Sequence, residues 1–72
     1  MKNKIEVGKT YYNRRDEEVL IVHEIEKPLN EFEVMIGVIT YYSGDQVSIT
    51  FDEYGVFIDD MYHNASLVRE KK

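Results

Sequence analysis

The chain has no cysteine among its 72 residues. That excludes disulfides and thiolate metal sites. Long apolar runs are also missing. The longest nearly apolar window, VMIGVITYY at residues 34–42, is far short of the roughly 20 residues that a membrane-spanning helix needs. The opening MKNKIEVGK has no apolar run behind its lysines, so no secretion signal is expected. A soluble, cytoplasmic protein with no membrane partner is the expectation. Asn64-Ala65-Ser66 then reads as a chance glycosylation triplet. Alanine and proline each occur once, and no window carries a clean 3.6-residue apolar stripe, so no helix stands out. Catalytic motifs are missing too. The two histidines have no matching carboxylate spacing for zinc. Gly8-Lys9-Thr10 resembles the end of a P-loop but lacks the upstream glycine. Ser43, Ser48 and Ser66 sit in ordinary turn or strand contexts rather than beside a base. No catalytic residue, metal or cofactor is expected, and the chain reads as a non-enzyme.

A hydrophobic content of 43% with a formal charge of −5 fits a folded chain rather than a disordered one. At this length there is room for one domain, residues 1–72, with a small core; residues 1–4 and 69–72 are expected to fray. The charge is unevenly spread. Residues 1–15 are net +4, residues 16–34 net −6, residues 45–62 net −5, and the tail from Arg69 net +2. Phosphate recognition needs a concentrated basic face, and only the chain ends offer one. The acidic middle disfavours nucleic acid as a partner.

β-Branched and aromatic residues dominate the apolar set, which favours strands. QVSITFD alternates strictly, with Val47, Ile49 and Phe51 on one side. EFEVMIGVITYY alternates as well, with Phe32, Val34, Ile36 and Val38 read as its core side. A two-residue turn at Gly44-Asp45 would place Tyr42 opposite Val47, Thr40 opposite Ile49 and Val38 opposite Phe51. Gly55 suits the left-handed position of a type I turn with a bulge, followed by a short strand at Val56 to Ile58. Towards the front, Tyr11 to Arg14 and Val19 to Lys27 are predicted strands around a turn at Arg15 to Glu17. Val19-Leu20-Ile21-Val22 is apolar on both faces, as for a strand covered on both sides or lying at an interface. ASLVREKK offers a last short strand or a 3₁₀ turn. The predicted fold is all-β: about five antiparallel strands in meander order, curled into a small, partly open barrel.

The succession VGKTYYNRRDEEVLIV, an acidic stretch, IGVITYYSGDQVSITFDEYGVFIDD and SLV resembles small proteins encoded by bacteriophages and prophages. Gly8, Tyr11, Arg14, Gly44, Gly55, Leu67 and Val68 stand at the matching places, and the likeness covers nearly the whole chain. Asp16-Glu17 replaces the glycine expected after the arginine. The front half is also similar to the opening of a Src-homology-3-like or Tudor-like barrel. The phage resemblance implies a small accessory protein that binds and disables a host protein, in some cases one of a defence system.

Tyrosine is the one enrichment, with six residues. Adjacent pairs must split between the two faces of a strand. With Tyr11 and Tyr42 turned inward, Tyr12 and Tyr41 would be displayed. Tyr12, Arg14 and Arg15 form the candidate binding edge for a protein or an anion. Met35, Ile39, Tyr41 and His23 form the candidate interface, through which the second face of the Met35–Tyr42 strand would hold a homo-oligomer or a foreign partner. His23 is in phase with Val19, Ile21 and Ile25 and reads as a core-edge or interface histidine. Glu24, Glu26, Glu31, Glu33, Asp59 and Asp60 read as an acidic surface that steers towards a basic host protein. The alternative readings are an oligomeric protein sequestering a small ligand or nucleotide, and a nucleic-acid-binding small barrel.

Overall fold

The computed structural model describes residues 3–59 and 64–72. Among these residues there is no helix. Five strands, β1 (Thr10–Asn13), β2 (Glu18–Glu24), β3 (Met35–Thr40), β4 (Gln46–Phe51) and β5 (Leu67–Glu70), form one antiparallel sheet. The spatial order is β4-β3-β2-β1-β5. The first four strands run as the expected meander, whereas β5 returns across the molecule to pair with β1. The sheet is not closed into a barrel, and β4 and β5 are its two edges. Val56 to Ile58 is not a strand. Arg69 and Glu70 belong to β5 instead of fraying, and Lys71 N donates to Thr10 O at 2.8 Å.

Three turns share one construction, a three-residue loop whose last residue is left-handed. In each, the closing bonds join the two flanking residues. Asn13 N donates to Glu17 O and Asp16 N to Asn13 O. Tyr41 N donates to Asp45 O and Gly44 N to Tyr41 O. Asp52 N donates to Val56 O and Gly55 N to Asp52 O. Gly55 has φ 85° as the sequence predicted, and Asp16, at φ 59°, fills the left-handed place in the first turn. Aspartate is among the few non-glycine residues that visit this region, so the missing glycine there does not break the hairpin. Asn13 and Asp52 open their turns alike. Asn13 Oδ1 accepts from Arg15 N and Glu17 N, and Asp52 Oδ1 from Tyr54 N and Val56 N.

The middle turn overturns the predicted β3–β4 register. A two-residue loop would make Ser43 and Gln46 the flanking pair. The actual loop, Tyr42 to Gly44, is flanked by Tyr41 and Asp45. The pairing moves by three places, giving Thr40↔Gln46, Ile39↔Val47, Gly37↔Ile49 and Met35↔Phe51. An odd shift exchanges the two faces of a strand. Met35 and Ile39 therefore lie in the core at 2% and 1% exposure, and Ile36 and Val38 take the opposite face. Tyr42, expected inside, is 84% exposed.

The core lies on the inner side of the curled sheet and contains Ile5, Tyr11, Val19, Ile21, Met35, Ile39, Phe51 and Leu67. At its centre Gly37 makes room for Phe51. The segment after β4 folds over this side: Glu53 O accepts from Ile5 N, and Gly55 O from Leu67 N at 2.8 Å. Tyr11 is fully buried as predicted, and its hydroxyl accepts from Glu6 N at 2.9 Å.

Candidate functional site

The basic and aromatic edge read from the sequence divides into three separate environments. Arg15 belongs to the first turn. Its Nε donates to Glu17 Oε1 at 3.0 Å, and the same oxygen accepts from Asn13 Nδ2 at 2.9 Å. Asn13 is wholly buried and Glu17 is 8% exposed, so this ion pair and its amide hold the hairpin rather than presenting a free cation. Arg14 is exposed at the tip, with its backbone N–H donating to Asn64 O. Tyr12 is half-buried on the outer side of the sheet. The Arg69 guanidinium lies 4.2 Å from its ring centroid, a cation–π contact of the usual geometry. Arg69 Nη2 also donates to Asp16 Oδ1 at 3.0 Å. The three residues do not converge on one pocket.

The outer face of the sheet carries the arrangement that stands out. Cross-strand register sets two rows of neighbours across it. One runs Arg69, Tyr12, Glu18, Thr40, Gln46, and the next runs Thr10, Leu20, Val38, Ser48. The first is polar and internally matched. Lys71 Nζ donates to Glu18 Oε1 at 2.7 Å and Gln46 Nε2 to Thr40 Oγ1 at 3.1 Å. Glu18, by hydrogen bond and by charge, raises the Lys71 pKa above its usual value. The second row is apolar in its middle. Leu20 is 44% exposed and Val38 half-buried, and Ile36 continues the patch one pair further along β3. A shallow cavity of about 400 Å³ lies here, lined by Thr10, Glu18, Leu20, Val38, Thr40 and Gln46.

His23 joins this face rather than the core edge. The β2–β3 pairing jumps from Ile21↔Gly37 to His23↔Ile36, leaving Val22 as an extra residue. Such a bulge reverses the phase of whatever follows. His23 is therefore exposed beside Ile36. Of the four interface candidates, His23 alone reaches the open face. Met35 and Ile39 are core, and Tyr41 is half-buried against the core. Leu20, Ile36 and Val38 were missed as a set. The signal was present in the two-sided apolar character of both strands, but the register decides which side is open.

The acidic surface is exposed at Glu24, Glu26, Glu31, Glu33 and Asp59, and Asp60 lies outside the described residues. The four glutamates lie at the end of β2 and in the loop that leads from it to β3. Glu24 stands opposite Met35, and Glu31 shares a shallow hollow with Phe32, Asp52, Glu53 and Tyr54. None of the four makes an ion pair among the described residues. No group of three or more His, Cys, Asp or Glu side chains could hold a metal ion among the described residues. No helix among them is long and apolar enough to cross a membrane.

A second cavity, of about 620 Å³, is rimmed by Lys4, Lys9, Arg69 and Lys72. Most of its cations are engaged. Lys9 Nζ is 2.6 Å from Glu6 and 3.6 Å from Glu70, and Lys4 Nζ is 3.3 Å from Glu53. The Lys9 pKa is raised, first by its hydrogen bond to Glu6 and then by the charges of Glu6 and Glu70. Internal pairing of this kind leaves little positive potential for an anion. No protein-family model matches the chain, and no curated protein or solved structure matches it significantly.

Proposed function

We propose that this chain is a non-enzymatic protein-binding module that docks a basic partner protein on the outer face of its sheet. The observation that carries this reading is the apolar patch of Leu20, Ile36 and Val38 where a sheet meeting only water alternates to polar residues. Its surroundings define the partner's chemistry. Along the β5 side the cations Arg69 and Lys71 are already paired, whereas Glu24 at the end of β2 and Glu26, Glu31 and Glu33 in the loop that follows make no ion pair among the described residues. A matching surface has an apolar centre and a lysine- or arginine-bearing flank. The resemblance to phage accessory proteins supplies the biological class: a host protein, including one of a defence system, bound and modulated in the host cytoplasm.

Affinity capture from a bacterial lysate tests this reading, with wild type run beside a Leu20→Asp/Val38→Asp variant of unchanged circular dichroism. The wild type retains a partner at low salt and loses it as salt screens the acidic flank, and the variant retains none. Equal retention by both proteins would sink the proposal.

A further inference from the structure

The two edges of the sheet are built differently. β5 is short, carries Arg69 and Glu70, and is irregular where its pairing shifts between Tyr12 and Asn13. Gly55 O accepts from its Leu67 N–H. These are the usual protections of an edge strand. β4 has none of them. Its six residues, Gln46-Val47-Ser48-Ile49-Thr50-Phe51, include no charge, no proline and no bulge. Antiparallel ladders alternate bonded and non-bonded pairs, and the bond from Tyr41 N to Asp45 O sets the phase. Val47, Ile49 and Phe51 therefore bond to β3, and the N–H and C=O of Gln46, Ser48 and Thr50 point away from it. No bond to these outward groups is made among the described residues.

We infer that the β4 edge pairs with the β4 edge of a second copy of this chain, antiparallel about a two-fold axis at Ser48, joining two sheets into one. The sequence of the strand specifies its occupant. Around Ser48 it is palindromic in character: Gln46 and Thr50 are polar, Val47 and Ile49 are β-branched and apolar. A two-fold interface places each residue type against its mirror position. With Ser48 opposite itself, Gln46 meets Thr50 and Val47 meets Ile49. Every outward N–H and C=O of Gln46, Ser48 and Thr50 then finds a partner. The same pairing covers Val47, which lies on the core side yet is 44% exposed, with the partner's Ile49. This interface uses the edge and leaves the outer-face patch free, so it stands independently of the proposed partner docking. Its salt response has the opposite sign. Two chains of charge −5 repel each other, and screening favours their association.

Sedimentation equilibrium and cysteine crosslinking test it together. The wild type is expected to run at the mass of two chains at tens of micromolar, with tighter association at higher salt. Ser48→Lys sets like charges opposite each other at the axis and is expected to raise the dissociation constant at least about tenfold. The side chain is exposed, so the monomer keeps its fold. The chain has no cysteine of its own, so Ser48→Cys reports directly. Its axis position is expected to give rapid disulfide-linked dimer on mild oxidation, because opposed residues of a bonded pair lie about 5.5 Å apart at Cα. Val68→Cys on the other edge serves as the control. A monomeric wild type, a dimer that Ser48→Lys leaves intact, or crosslinking no faster at position 48 than at 68 would each overturn the inference.

Discussion

Replacing Gly37 by alanine tests the β3 register and the core at one atom. A Cβ at this position would stand 2.8 Å from Val19 Cγ1, 2.9 Å from Phe51 Cε2 and 3.2 Å from Ile21 Cδ1. Real Cβ contacts below 3.0 Å are essentially unknown, so a neighbour must move. Val19 and Phe51 are both fully buried, and the β-branched Val19 has little χ1 freedom. Overpacking of this kind costs about 1–3 kcal/mol. Alanine recovers about 0.5–1 kcal/mol by restricting the unfolded chain. Two contacts under 3.0 Å put the overpacking in the upper part of its range, so the net expected loss is about 1–2 kcal/mol, against a total of about 4–11 kcal/mol for a domain of this length. The corresponding fall in Tm is about 4–16 °C. Urea unfolding followed by circular dichroism measures it. Phe51→Leu removes part of the obstruction, so the double variant should lose less than the sum of the two single losses. Had Ile36 and Val38 been the core side, Gly37 would face solvent and alanine would be neutral or mildly stabilising. A Gly37→Ala protein as stable as wild type, or strict additivity with Phe51→Leu, would refute this account of the core.

Asn13→Ala removes two bonds to backbone N–H groups and one to the nearly buried Glu17 carboxylate. Groups stripped of partners at such a site cost about 1–3 kcal/mol each, so a loss of about 2–4 kcal/mol in urea unfolding is expected, while a loss below 0.5 kcal/mol would contradict the network. Lysine titration gives a signed pH effect. The Lys9 and Lys71 pKa values lie above 10.5 in the folded protein, so their stabilisation is fully present below that value and is lost as pH rises through the raised one. Both side chains are about half exposed, and solvent screening keeps the effect small. The alkaline fall in Tm is expected to be shallower in a Lys9→Met/Lys71→Met variant than in wild type, and parallel curves would remove any role for these pairs.

Much of the fold was legible because local chemistry is decisive for turns and alternation. Gly55 was placed in its left-handed turn from sequence, and the strict alternation of QVSITF located β4. Tyr11 was correctly read as core. What failed was parity. The region 32–39 offers apolar residues on both faces, Phe32, Val34, Ile36 and Val38 against Met35 and Ile39, so alternation could not say which set is buried. That choice rested on the length of one loop, and the glycine at 44 suits either a two- or a three-residue connection. The candidate site inherited the error, because Met35 and Ile39 were assigned to the surface that Ile36 and Val38 occupy. His23 was misplaced for a related reason, since nothing local marks Val22 as the extra residue of a bulge.

The sequence by itself determined the all-β class, the left-handed turn at Gly55 and the acidic middle of the chain, since each follows from residues close together along the backbone. Only the tertiary structure decided which side of β3 is inside, that β5 closes against β1, and that Arg15 is bound up in a turn while Arg69 covers Tyr12. Apart from the local Arg15–Glu17 pair, those outcomes depend on partners far apart in sequence. The fit of Phe51 over Gly37 and the reach of Arg69 to Asp16 exist only once the strands have met.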